Sequence, residues 1–121
     1  MNRYNEIIRP VWAEIDLGAV RHNLEEIKRL AGPSVEIMAV IKAEAYGHGA
    51  VPVAKTVIRH CANFLGVFLP EEGIALRKAG ITVPILVFGP LQEDQAGCFV
   101  KYDLTATVCI AEAVLALSQA A

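Results

Sequence analysis

The 121-residue sequence predicts an α/β fold of about four βα units with parallel strands. Short apolar runs without alternation recur along the chain, which is typical of parallel strands that are covered on both faces. Segments with apolar residues at helical spacing separate these runs. The assigned strand starts are Ile37, Phe64, Ile85 and Leu104. Their intervals of 27, 21 and 19 residues indicate right-handed βαβ units in a parallel sheet.

The first predicted elements are a strand and an amphipathic helix. Residues 11–17 (VWAEIDL) alternate apolar and polar side chains, which predicts a strand with one solvent-exposed face. The apolar face of the following helix consists of Val20, Leu24, Ile27 and Ala31. Asp16 or Gly18 lies near the start of this helix, and Gly32 with the following proline ends it.

The remaining elements form the repeating units. The predicted buried strands are residues 36–41, 64–68, 84–88 and 104–108. Pro52 and Pro70 each suit the first turn of a helix, and Pro90 is predicted to begin another. Apolar residues between Ile110 and Leu117 indicate a final helix.

Four βα units cannot close an eight-stranded barrel, which takes about 250 residues in its usual form. The chain is therefore either a small open α/β sheet or the first half of a barrel. The pattern of apolar residues is compatible with both.

Composition excludes several classes of partner. The net charge is −2 and no predicted face carries a cluster of Lys and Arg, so we expect no nucleic acid and no anionic membrane surface as a partner. No apolar stretch approaches the roughly 18 residues of a membrane span, and the first residues lack the apolar region of a signal peptide. A cytoplasmic location is expected. Cys61, Cys98 and Cys109 are interpreted as reduced thiols.

The segment at residues 40–49, VIKAEAYGHG, ends an apolar strand on a charged residue, Lys42. Chemistry in parallel α/β folds collects at the carboxyl ends of the strands. Burial there would favour the neutral amine, which can attack an aldehyde, so a Schiff-base lysine is physically reasonable. The alternative is a lysine that extends from the end of the sheet into solvent.

Other ligand sites fit this segment less well. The sequence from residue 47 begins like a dinucleotide loop, but Pro52 occupies the third glycine position. Residues 49–56 (GAVPVAKT) differ from a phosphate-binding P-loop at Ala54, which replaces the glycine before the lysine. A metal site would need more ligands than His48 and Glu44 offer, so none is predicted.

The segment VIKAEAYGHG resembles the pyridoxal-phosphate (PLP) lysine motif of the alanine racemase family, V-V-K-A-N/D-A-Y-G-H-G. The stretches VWAEIDLGAVRHNL, EEGIALRKAGITVPILVFG and YDLTATV are similar to matching stretches of that family, in the same order. The resemblance runs from Val11 to about Val108 and implies a fold type III PLP protein with a partial (β/α)8 TIM-type barrel. Residues 1–121 would be its amino-terminal half, and the strand at 11–17 would belong with a separate β domain.

The resemblance also implies an activity and its residues. The family interconverts L-alanine and D-alanine, an isomerase reaction that supplies D-alanine for peptidoglycan. Lys42 would hold PLP as a Schiff base and, once released, would act as one of two acid/base groups. The hydroxyl of Tyr46 would donate a hydrogen bond to the cofactor phosphate. His48 is interpreted as a loop residue that packs near the strand end. Glu44 departs from the family's Asn or Asp, and we expect it to alter local hydrogen bonds only.

Two groups that the resemblance implies have no match in this sequence. They are the second base, a tyrosine from the partner subunit of a homodimer, and an arginine that faces the pyridine nitrogen. We therefore expect the chain to be inactive alone and to need a complementary carboxy-terminal half or to self-associate. Two alternatives stay open: another fold type III PLP protein, such as a serine racemase, a broad-specificity racemase or a PLP carrier, and a catalytically inert scaffold.

Overall fold

A computed structural model describes residues 11–121, in which helices and strands alternate. The strands are β1 (Ile37–Val40), β2 (Ala62–Val67), β3 (Ile85–Pro90) and β4 (Thr105–Thr107). The helices are α1 (Leu17–Ala31), α2 (Lys42–Tyr46), α3 (Ala50–His60), α4 (Pro70–Lys78), α5 (Ala96–Lys101) and α6 (Ala111–Ala120). A short 3-10 turn, Glu93–Gln95, precedes α5. No helix within the described range is both long and apolar enough to cross a membrane.

The four strands form one parallel sheet in the order β1-β2-β3-β4. This sequential order distinguishes the two folds that the apolar pattern leaves open. An open doubly wound sheet reverses its strand order near the first strand, whereas a (β/α)8 barrel adds each strand beside the previous one. The predicted fold class, α/β with the first four units of a TIM-type barrel, is confirmed.

The core lies between the sheet and the helices that cover one of its faces. Leu65 of β2 and Ile85 of β3 are fully buried there. They belong to one apolar cluster with Val57 of α3, Leu76 of α4 and Phe99 of α5. Because these side chains come from successive βα units, burial of the cluster holds the units together.

The first buried strand is covered on one face only. In β1, Ile37 and Ala39 pack against the core, while Met38 and Val40 are 37% and 39% exposed. The prediction that both faces of this strand are covered is therefore wrong within residues 11–121. Successive side chains of a strand point to opposite faces, and the described helices lie on only one of them.

The predicted strand at residues 11–17 is not present. Residues 11–16 have no regular secondary structure, and Leu17 already belongs to α1. The carboxylate of Asp16 accepts hydrogen bonds from the amides of Gly18, at 2.7 Å, and Ala19, at 3.1 Å, and so caps this helix. A strand needs a neighbour for its backbone hydrogen bonds, and no described strand pairs with residues 11–16.

The predicted helices are confirmed except at Pro90. Pro70 begins α4, and Pro52 lies in the first turn of α3. Pro90 instead ends β3, opposite Thr107 of β4, and the next helix starts only at Ala96. The amide of Leu91 donates to the carbonyl of Thr107 at 2.9 Å, so the chain stays extended beyond the proline.

Candidate functional site at the carboxyl ends of the strands

Lys42 lies at the edge of the sheet where the strands end, as predicted. It follows β1 by one residue, and that residue, Ile41, still donates a backbone hydrogen bond to Gly66 of β2 at 2.8 Å. The side chain is half-buried. Its Nζ lies 5.8 Å from the ring centroid of Phe68, the first residue after β2. The amine therefore faces an aromatic ring at the tips of two neighbouring strands, within the range of a cation–π contact.

The short element α2, which begins at Lys42, is a left-handed turn rather than a right-handed helix. The backbone angles (φ, ψ) are 51°, 53° at Ala43, 55°, 41° at Glu44 and 54°, 46° at Ala45. Tyr46 also has a positive φ, of 56°. For a residue with a side chain, this conformation is higher in free energy than a right-handed helix by roughly 1–2 kcal/mol. Such a run persists only when surrounding contacts hold it in place.

Backbone hydrogen bonds close the turn from within. The amide of Gly47 donates to the carbonyl of Ala43 at 3.1 Å, and the amide of Gly49 donates to the carbonyl of Glu44 at 2.8 Å. Both glycines have φ near +90°, at 88° and 89°, so the prediction that they are turn residues with unusual backbone angles is confirmed.

Two side chains of the motif support the same turn. Nδ1 of His48 lies 2.9 Å from the carbonyl oxygen of Ala45, and as a donor tautomer it hydrogen-bonds there. The carboxylate of Glu44 accepts a hydrogen bond from the amide of Ala50, the first residue of α3, at 3.2 Å. These contacts agree with the predicted local roles of the two residues.

Tyr46 ends the left-handed turn and is 61% exposed. Within the described chain, no hydrogen bond links it to Lys42. The structure thus brings the two predicted cofactor-binding residues into one turn. As a residue, Tyr46 is therefore largely open to solvent.

A third residue of the site, Glu72, is not among those that the sequence predicts. It lies in the first turn of α4, and its Oε1 accepts a hydrogen bond from the amide of Ala43 at 2.6 Å. Its Oε2 accepts from the amides of Phe68 and Leu69, each at 2.8 Å. The sequence does contain a local signal for one of these contacts, because a glutamate three residues after a helix N-cap, here Leu69, commonly accepts a hydrogen bond from the N-cap amide. The link to Ala43 depends on the tertiary fold.

Glu72 is ionised at neutral pH. Partial burial of the carboxyl by itself would raise the pKa of Glu72. The hydrogen bonds from three backbone amides, together with the positive charge of Lys42, outweigh that effect, so the pKa of Glu72 lies below its ordinary value of 4.5. A fixed negative charge therefore lies beside the left-handed turn that follows Lys42.

Comparisons with known proteins agree on one group of relatives. The family model described as "Alanine racemase, N-terminal domain" matches residues 15–121. The alanine racemase of Halothermothrix orenii is 47% identical over 115 residues, which cover 95% of this chain and 30% of that protein. The alanine racemase of Methanococcus maripaludis is 47% identical over 102 residues, which cover 84% of this chain and 27% of the relative.

Solved structures give the same result. An alanine racemase structure from Clostridium difficile 630 matches with a TM-score of 0.89 and 41% identity, covering 95% of this chain and 30% of that one. The alanine racemase of Bacillus anthracis, solved with bound L-Ala-P, matches with a TM-score of 0.87 and 39% identity, covering 94% and 30%. The chain thus spans about 30% of the length of these relatives.

Proposed function

Because the chain belongs to the family of alanine racemase N-terminal domains, we propose that it supplies the PLP-binding lysine of an enzyme that interconverts L-alanine and D-alanine. The observation that carries the proposal is the position of Lys42. This half-buried residue lies at the carboxyl ends of parallel strands, where barrel enzymes hold their reacting groups.

The residues at this edge fit PLP in three respects. A primary amine is available to bond to the cofactor aldehyde, and the Phe68 ring beside it offers an apolar surface to the pyridine ring. Tyr46 is largely exposed, and its hydroxyl would donate a hydrogen bond to the phosphate. Bound PLP would withdraw electrons from Cα of the amino acid and make its proton easier to remove.

The roles of the chain's own residues follow from this arrangement. The Lys42 amine would hold the cofactor covalently between turnovers. Once displaced by the substrate amine, it would take or return the Cα proton on one face of alanine. The left-handed turn would keep Lys42 and Tyr46 on one rigid segment, so that amine and hydroxyl are presented together.

Inversion also needs an acid/base group on the opposite face of Cα. By the resemblance, this is a tyrosine of the partner subunit in a homodimer, and an arginine faces the pyridine nitrogen. We propose that the active species contains both, through the remaining part of the enzyme or a complementary carboxy-terminal chain. The exposed apolar side chains Met38, Val40 and Phe68 are consistent with association. We further propose a cytoplasmic enzyme whose D-alanine serves peptidoglycan synthesis.

The first test is cofactor capture. The protein is mixed with PLP, reduced with borohydride and digested, and the modified lysines are identified by mass spectrometry. We expect the label on Lys42 to exceed that on Lys55, which lies on α3 and serves as an internal reference. Lys42→Met is the matched control and should lose the preferred label. Equal labelling of the two lysines would refute the proposal.

The second test addresses the reaction. The chain, combined with the carboxy-terminal part of a related alanine racemase, is assayed for D-alanine formation from L-alanine and for D-serine formation from L-serine. We expect alanine turnover that is abolished by Lys42→Met. Preferential turnover of serine would instead indicate another racemase of the same fold type, and capture without any turnover would support a PLP carrier.

A further inference from the structure

We propose that Glu72 is a positioning residue that holds the Lys42 amine and the Phe68 ring in the relative orientation needed for cofactor capture. The inference rests on the proposed function, since it concerns how the chain presents the same lysine. Glu72 lies outside the lysine motif, on a helix that begins 28 residues after Lys42.

The carboxylate of Glu72 contacts two separate segments of the backbone. One oxygen binds the amide of Ala43, the residue directly after Lys42, and the other binds the amide of Phe68. One side chain therefore connects the backbone beside the amine to the backbone that carries the aromatic ring. The second oxygen also binds the Leu69 amide, which anchors the carboxylate to its own helix start.

The backbone of Ala43 is strained. This residue begins the left-handed run, and its internal turn hydrogen bonds use its carbonyl group rather than its amide. Glu72 is the partner of that amide. A charged acceptor makes a stronger hydrogen bond than a neutral one, so the carboxylate is suited to hold a strained peptide.

A neutral amide side chain cannot replace the carboxylate of Glu72. In Glu72→Gln, one side-chain oxygen would remain an acceptor, but the NH2 group would face a backbone N–H. The variant can therefore accept a hydrogen bond from the amide of Ala43 or from the amide of Phe68, but not from both. Its size is nearly unchanged, so packing of α4 is preserved.

The test uses labelling and hydrogen exchange on the unsubstituted protein, Glu72→Gln and the control Glu71→Gln. Glu71 is the neighbouring glutamate in the first turn of α4 and is exposed. Each protein is treated with PLP and borohydride, and the ratio of label on Lys42 to label on Lys55 is measured. General unfolding would also bring this ratio towards one, but it would accelerate amide exchange along the whole chain, whereas loss of positioning accelerates exchange only near the contacts of Glu72. Amide exchange at Ala43 and Phe68 is measured without PLP.

We expect Glu72→Gln to lower the Lys42 to Lys55 ratio about tenfold, the effect of losing one charge-assisted hydrogen bond. Exchange at Ala43 or Phe68 should accelerate by a similar factor, and Glu71→Gln should change neither quantity. A ratio that is unchanged in Glu72→Gln would overturn this inference alone, even if exchange accelerates, because the contact would then be only structural. Absence of preferred labelling in the unsubstituted protein would overturn the proposed function and, with it, the role assigned to Glu72.

Discussion

The backbone of Phe68 is joined to Gly89, since the Phe68 carbonyl oxygen accepts the Gly89 amide hydrogen bond at 3.0 Å. This contact holds the tip of β2 against the end of β3. Phe68 is also the residue whose ring faces Lys42 and whose amide binds Glu72. The geometry around the lysine therefore depends on how closely these two strand ends approach.

Replacement of Gly89 by alanine should disturb that approach. A Cβ atom at this position would lie 2.7 Å from the Phe68 carbonyl oxygen, so the backbone would have to shift. We expect Gly89→Ala to lower the free energy of unfolding by about 1–3 kcal/mol, measured by urea denaturation. The control is Gly97→Ala in α5, where an added Cβ meets nothing within 4 Å and helix propensity predicts a small gain. Equal stability of the two variants would contradict this prediction.

We expect Arg77 to stabilise the fold at the amino ends of β3 and β4, opposite the lysine site. Its guanidinium donates to the carbonyl oxygens of Tyr102, Ile81, Val83 and Asp103, at 3.0, 2.8, 2.7 and 2.7 Å. Only 12% of its side chain is exposed. Arg77→Lys keeps the charge but cannot span these acceptors, so we expect a loss of about 2 kcal/mol in the free energy of unfolding.

The matched control for Arg77→Lys is Lys78→Gln, which alters the adjacent, exposed cation of the same helix. It should change the free energy of unfolding by less than about 0.5 kcal/mol. If Arg77→Lys proves as mild as this control, the carbonyl contacts do not contribute to stability as argued.

The pH dependence of folding should report on Glu72. Its pKa is lowered in the folded state, so the folded protein binds this proton more weakly than the unfolded chain does. The stabilisation is fully present above the unfolded value, near 4.5, and is lost as the pH falls through the lower folded pKa. Denaturation from pH 7 to pH 2 should show a smaller acid destabilisation in Glu72→Gln than in the unsubstituted protein. The same slope in both would rule out the lowered pKa as the cause.

Tyr46 should discriminate between cofactors with and without a phosphate. If its hydroxyl donates to that group, Tyr46→Phe should weaken capture of PLP about tenfold or more and leave capture of pyridoxal nearly unchanged. Capture is measured by titration with each aldehyde followed by reduction. Tyr102→Phe, on a partly buried tyrosine near Arg77, is the control and should affect neither aldehyde. Equal loss for both aldehydes would indicate a role in the turn rather than at the phosphate.

Local sequence patterns predicted most of the helices and strands. The apolar runs predict buried strands at residues 36–41, 64–68, 84–88 and 104–108, and the structure has them at Ile37–Val40, Ala62–Val67, Ile85–Pro90 and Thr105–Thr107. Runs of apolar residues determine strands because their side chains must leave water wherever the sheet forms. The alternating residues 11–17 also predict a strand, yet they form none, because pairing depends on a neighbour that the pattern cannot supply.

The candidate site was predicted in part. The position of Lys42 after an apolar strand indicated the carboxyl edge of the sheet, and the resemblance to a known motif suggested its chemistry. The left-handed conformation from Ala43 to Tyr46 was not predicted, because alanine and tyrosine have no local preference for it. The contribution of Glu72 was not predicted either, since one of its bonds joins residues 29 positions apart.

The sequence by itself determined most of the helices and strands and the position of the lysine after β1, because these depend on side-chain polarity over short spacings. Only the tertiary structure decided the strand order, the open face of β1, the left-handed turn and the partners of Glu72. The physical reason is that these features depend on contacts between segments far apart in the chain. Such contacts offset local conformational strain, which a pattern of single residues does not predict.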